Sequence, residues 1–333
     1  MLIVDPLLLI THAGAGGSDS LGPALEVLHG HTSVEVAETS NPGELDGALH
    51  RAGSRRIVVA GGDGTLHAVV ATLHRRNDLA GKVLGLLPLG TGNDFARAIG
   101  MPLDPVEAAK ALVSGTPQEM DLIVDELGEV VVNSVHIGAS ALASRRAATW
   151  KERLSPFGLG LVGYPIGAAL AALNPPFIRV HVEVDGKVVA DVDRHVLMVA
   201  VGNGVSVGGG AELTPAADPT DGRADVLVSF ATGPRARVGY AVDLLRRRHP
   251  HRDDTVYLRG TQVSVAGESF WLSADGEITG PEGRRTWHVE RAAYSMLVPT
   301  PPTAASPDTA RGAVASGLTS DATQERARRE DAT

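Results

Sequence analysis

The chain has no cysteine, which excludes disulfides, thiolate metal sites and a cysteine nucleophile. Aromatic residues make up only 4% of its 333 positions, too few for rows of base-stacking platforms. Positive charge is also short. Against 39 Asp and Glu there are 30 Lys and Arg, and the net charge of −9 argues against general nucleic-acid binding. Residues 1–10 are apolar but interrupted by Asp5 and Pro6, with no basic n-region, so no secretory signal is expected. These absences fit a reducing cytoplasm. Residues 154–178 are uncharged and long enough to cross a bilayer, yet Pro156, Gly160, Gly163, Pro165 and Pro175-Pro176 break them up. A loop and then a buried helix over 164–173 is expected there instead.

What the chain does have is apolar material, 43% of its residues, enough for one or two substantial cores. Up to about residue 122, apolar strand-like runs (7–10, 33–38, 57–60, 83–89) alternate with helical segments (21–29, 44–52, 66–76, 94–99, 106–115). This rhythm predicts a parallel sheet covered on both faces. From about Asp121 it changes to short strands separated by Gly, Asp and Pro: 129–135, 178–184, 187–191, 195–202, 224–229, 255–260, 261–265, 269–274 and 286–290. A β-rich second domain follows from that, with Asp185-Gly186 as a hairpin turn. The stretch from about 299 onward is rich in Pro, Ala, Ser, Thr and charge and is expected to be disordered.

Two turns carry the chemistry. Ile57-Val58-Val59-Ala60 runs into Gly61-Gly62-Asp63-Gly64-Thr65 and then a helix, a geometry that suits phosphate at a helix N-terminus. A carboxylate beside phosphate calls for a cation, so the turn implies a nucleotide with Mg²⁺. A second strand opens through Gly90-Thr91-Gly92-Asn93-Asp94 onto another helix. In a parallel sheet both turns would lie at one carboxyl edge, where such folds bind ligands.

These two motifs resemble the diacylglycerol kinase catalytic family, as do Val201-Gly202-Asn203-Gly204, Gly208-Gly209-Gly210, Leu213-Thr214-Pro215 through Asp225 and Ala274-Asp275-Gly276-Glu277 in the same order. The resemblance implies a Rossmann-like, NAD kinase-like α/β nucleotide-binding domain over 1–122, a β-sandwich lipid domain over 123–284, and a return segment at about 285–298. It also implies ATP bound near His12, Gly16, Thr39, Gly61, Gly62, Asp63, Gly64, Thr65, Thr91 and Asn93. His12 departs from the family, which usually has Asn-Pro at that turn. Mg²⁺ is expected at Asp63, Asp94 and Asp121, and a second cation at Asp218 and Asp221. For proton removal the candidates are Asp275 and Glu277, Asp275 being favoured, with Asp63 also catalytic.

The activity so implied is transfer of the ATP γ-phosphoryl to a lipid hydroxyl, foremost diacylglycerol, at the inner face of a membrane. Arg145, Arg146, Trp150, Lys151 and Arg153 form one basic patch suited to anionic lipid, and Arg246-Arg247-Arg248-His249 through Arg252 form another. NAD kinase and a non-catalytic nucleotide or lipid sensor stand as alternatives. Oligomeric state is open, with a homodimer among the options.

Overall fold

The computed structural model describes residues 5–13, 18–139, 141 and 177–300. Gly16, the basic patch at 145–153, the helix expected over 164–173 and the tail beyond 300 lie outside the described residues. Among those described, no helix is long and apolar enough to cross a membrane.

Four strands of the first half pair in parallel in the order β4-β3-β1-β2: β1 (Leu7–His12), β2 (Val34–Thr39), β3 (Arg56–Gly61) and β4 (Val83–Pro88). Near-continuous aliphatic runs such as Leu7-Leu8-Leu9-Ile10 form β1, β3 and β4, which are covered on both faces, whereas the edge strand β2 is exposed or half-buried along most of its length. The covering helices are α1 (Ser18–His29), α2 (Pro42–His50), α3 (Asp63–Arg75), α4 (Asp94–Ala98) and α5 (Pro105–Ser114). Asn41 caps α2 through the Glu44 amide, and Asp104 caps α5 through those of Val106 and Glu107, each with proline at the first helical turn.

The second half is antiparallel. It comprises β5 (Thr116–Asp125), β6 (Val130–Val131), β7 (Ser134–Gly138), β8 (Ile178–Val184), β9 (Lys187–Ala190), β10 (His195–Val196), β11 (Met198–Gly202), β12 (Ser206–Val207), β13 (Ala211–Glu212), β14 (Ala224–Ser229), helix α6 (Pro234–Leu245), β15 (Thr255–Gly260), β16 (Gln262–Ala274) and β17 (Glu277–Val298). The last strand unites the molecule. β17 pairs with β16 and β5, then with β4 in parallel at Ser295 and Met296, so one sheet runs from β15 to β2. A buried ion pair, Arg285 Nη1 to Asp125 Oδ2 at 2.8 Å, fastens β17 to β5.

Several expected boundaries shift for identifiable reasons. The strand expected over 129–135 is broken into β6 and β7, because the amides of Val132, Asn133 and Ser134 bond to the Asp275 carboxylate rather than continuing the ladder. The two strands expected at 261–265 and 269–274 are one, β16, with a register shift between Ala266 and Phe270. Residues 286–290 are the middle of the long β17. Helix α6 was not anticipated: its core-facing edge is only Ala236, Tyr240 and Leu244, while Val238, Val242 and Leu245 face solvent. Asp185-Gly186 is the expected hairpin, with both residues at positive φ.

The turns after β3 and β4 touch backbone to backbone. A Cβ at Gly90 would lie 2.5 Å from Gly62 Cα and 2.8 Å from Asn93 Oδ1, whereas one at Gly64 would meet nothing within 4 Å. Gly90→Ala is therefore expected to destabilise the fold by ~1–3 kcal/mol, the usual cost of overpacking. Gly64→Ala should stay within ~0.5 kcal/mol of the parent. Urea midpoints at constant slope check both.

Candidate active site

Gly61 of β3 stands level with Pro88 of β4, so the two glycine turns open side by side on the carboxyl edge of the parallel strands. Helix α3 begins at Asp63 behind Gly62, an extended N-cap with no side chain to accept its first amides. That leaves an anion-binding helix end, and Gly64 and Thr91 are exposed beside it. The Asp63 carboxylate turns away from its own helix to the neighbouring one. It accepts the amides of Asp94 (3.0 Å) and Phe95 (2.9 Å), capping α4, whose own cap residue Asn93 makes no cap bond. Burial pushes the Asp63 pKa up against these two hydrogen bonds, and the charges of Asp94 and Asp275 add to the rise.

Asp94 is buried and reaches the second half of the chain. Its Oδ1 accepts from Ser206 Oγ and its Oδ2 from the Gly209 amide, both at 2.8 Å. From that second half comes Asp275, in a two-residue hairpin between β16 and β17 with Asp275 and Gly276 at positive φ. Its carboxylate accepts from the amides of Val132 (2.6 Å), Asn133 (2.9 Å) and Ser134 (3.0 Å), and from His67 Nδ1 at 2.9 Å.

His67 was missed by the sequence reasoning. It lies one turn beyond Asp63 on the same face of α3. Its side chain is 14% exposed, and its Nε2 has no hydrogen-bond partner among the described residues. Burial works against the imidazolium. The hydrogen bond and charge of Asp275, backed by Glu277 and Glu129, outweigh it and hold the His67 pKa above the usual 6.5. The only local signal was position, i+4 from Asp63. Its partner is 208 residues away.

Other expected site residues are engaged elsewhere. Asn93 closes its own turn, its side chain accepting the Gly90 amide and donating to the Gly90 carbonyl. Thr39 is buried and donates to the Thr11 carbonyl at 3.2 Å. His12 is exposed at the end of β1, level with Thr39. Asp121 accepts the amides of Gly222 (2.5 Å) and Ala292 (2.9 Å), pinning a loop and the irregular stretch of β17.

Among the described residues no three His, Asp or Glu side chains converge closely enough to ligate an ion unaided. Asp63 and Asp94 nonetheless suit Mg²⁺, which ordinarily takes one or two carboxylates with waters and phosphate oxygens. A Cβ at Gly92 would stand 3.0 Å from Asp63 Oδ2 and 3.7 Å from Asp94 Oδ2, so glycine keeps that space open. The second cation expected at Asp218 and Asp221 does not fit. Asp218 Oδ1 accepts from the Thr220 amide and hydroxyl, and the Arg259 guanidinium pairs with Asp221 and lies 3.3 Å from the fully buried Asp225. Arginine supplies the positive charge there.

Residues 6–124 match the family model for the diacylglycerol kinase catalytic domain, and residues 133–297 match that for the YegS C-terminal NAD kinase beta sandwich-like domain. A probable lipid kinase YegS-like of Pseudomonas aeruginosa is 30% identical over 287 residues, covering 84% of this chain and 90% of that protein. The chain belongs to the diacylglycerol kinase-like family of lipid kinases. The Bacillus subtilis diacylglycerol kinase is 30% identical over 227 residues, 67% of this chain and 71% of its own. A solved diacylglycerol kinase from Bacillus anthracis shares the fold, at TM-score 0.67 and 19% identity, over 89% of this chain and 97% of its own. In this kinase family member the parallel core and the β-rich C-terminal half are thus those expected.

Asp275→Asn would remove the charge that holds His67 protonated and leave burial to dominate. By NMR titration the His67 midpoint is expected above 6.5 in the parent and below it in the variant. Because the folded pKa is raised, the pair's contribution to stability is full below about 6.5 and is lost as pH climbs through the raised value. An unchanged midpoint would mean that Asp275 does not control the imidazole.

Proposed function

We propose that this chain is an ATP-dependent kinase that phosphorylates a lipid hydroxyl, with diacylglycerol as acceptor and phosphatidic acid as product. The observation that carries the reading is the meeting of Asp63 and Asp94 from the α/β half with Asp275, whose carboxylate binds His67 across the two halves. The proposed division of labour gives residues 1–122 and the returning 285–298 to the nucleotide, and 123–284 to the lipid.

The turn at 61–65, where Gly64 is exposed, and the exposed Thr91 bind the phosphates, with His12 as a further contact at the neighbouring strand end. Asp63 and Asp94 hold Mg²⁺, which when bound neutralises charge on the phosphates. The lipid hydroxyl oxygen attacks Pγ, the bond from Pγ to the bridging oxygen breaks, and ADP leaves. The hydroxyl proton goes to His67 Nε2.

That last assignment revises the expectation that Asp275 takes the proton. An ionised carboxylate offers about four lone-pair sites. Asp275 already accepts from three amides and one imidazole, which leaves it to orient His67 as aspartate does in a catalytic triad. Glu277 is exposed beside the pair and adds negative charge.

The test is transfer from γ-labelled ATP with Mg²⁺ into mixed micelles, with diacylglycerol, ceramide, sphingosine and NAD in separate reactions. Label is expected in diacylglycerol alone, and Asp63→Ala should reduce the rate by about 10³-fold or more, as removing a main electrostatic contact does. Label in another lipid would change the acceptor. Label on NAD alone would overturn the reading.

A further inference from the structure

Helix α6 is anchored along one edge only. Tyr240 is its one buried residue, donating to Met198 Sδ at 3.4 Å, and Ala236 and Leu244 pack on the same small apolar cluster. On another face Val238, Val242 and Leu245 are 65%, 39% and 86% exposed. Their spacing makes one stripe along the helix, and Leu245 is the most exposed large apolar side chain among the described residues.

Charge gathers around that stripe. Between Pro234 and Arg252 there are six arginines and one aspartate, in a chain whose net charge is −9. Arg252 is neutralised by Asp243 and Asp254, and Arg247 pairs with Glu212. Arg235 at the start of the helix, and Arg246 and Arg248 just past its end, are exposed and make no side-chain hydrogen bond or ion pair among the described residues. Exposed apolar side chains bracketed by unpaired arginines suit the surface of an anionic bilayer, where the apolar groups can enter the headgroup layer and the arginines meet phosphate.

A second copy of the chain suits this face poorly. A two-fold contact would set the unpaired arginines of the two copies against each other. Three apolar side chains are also a narrow base for a stable protein interface, which takes about 20–30 residues a side.

We propose that α6 is a membrane-docking helix, with Val238, Val242 and Leu245 entering the headgroup layer of an anionic bilayer and Arg235, Arg246 and Arg248 on its phosphates. Its purpose rests on the lipid-kinase reading, since docking would bring the enzyme to an acceptor held in the bilayer. The binding itself can be measured without any phosphoryl transfer.

The full chain is mixed with vesicles of phosphatidylcholine, alone or with phosphatidylglycerol, and sedimented. Binding is expected to the anionic vesicles and to fall as salt rises. Val242→Ser with Leu245→Ser, and separately Arg246→Ser with Arg248→Ser, should each weaken it by about tenfold or more. Because these residues are exposed, circular dichroism and urea midpoints should match the parent. Transfer to a short-chain, water-soluble diacylglycerol should be unchanged in both variants. Variants that bind vesicles as the parent does would overturn the proposal, as would a parent that binds neither vesicle. A shift from dimer to monomer on gel filtration, with vesicle binding intact, would assign the stripe to a contact between copies and also overturn it. Vesicle binding lost in the variants supports the surface even if no lipid accepts label, an outcome that would count against the kinase reading alone.

Discussion

Three consecutive amides, those of Val132, Asn133 and Ser134, converge on one carboxylate, that of Asp275. Much of the site depends on this. Taking those amides out of the ladder ends β6 and starts β7, and it fixes the β16–β17 hairpin against the β5–β7 connection. The same carboxylate then reaches His67 on α3, so a turn of the antiparallel half is tied to the first helix after the glycine loop. The interaction costs desolvation of a charge, which four donors offset.

Asp63 acts the same way on the other side. A carboxylate at the head of α3 caps α4, and Asp94 at the head of α4 reaches the loop at 206–209. Side chains that would ordinarily satisfy their own helix satisfy the next element, so the active-site edge is a chain of such exchanges. The glycines at 62, 90 and 92 allow the backbones close enough for it. The cost is burial of a carboxylate, with further negative charge nearby, visible in the raised Asp63 pKa, and a bound cation would relieve it.

The turns were legible in the sequence because their requirements are local: an aliphatic run, two glycines, a carboxylate and a helix start. The parallel and antiparallel halves were legible for the same reason, through the change from helix-spaced to strand-spaced apolar residues. The partners were not. Nothing near His67 announces Asp275, and nothing near Asp121 announces Gly222 and Ala292. The family resemblance places Asn93 at the nucleotide, whereas its amide is bonded both ways to its own Gly90. Helix α6 escaped because its core edge is short, Ala236, Tyr240 and Leu244, and exposed valine and leucine on another face blur its periodicity.

The account turns on His67 as the group that takes the acceptor's proton. The most direct measurement is the pH–rate profile of phosphoryl transfer for the parent, His67→Gln and Glu277→Gln. The parent rate should rise with pH through a midpoint above 6.5, because only neutral imidazole accepts a proton. Glu277→Gln should keep that rise, and His67→Gln should lose it along with most of the rate. A His67→Gln enzyme that retains both the rate and the rise would place the base elsewhere and contradict the account.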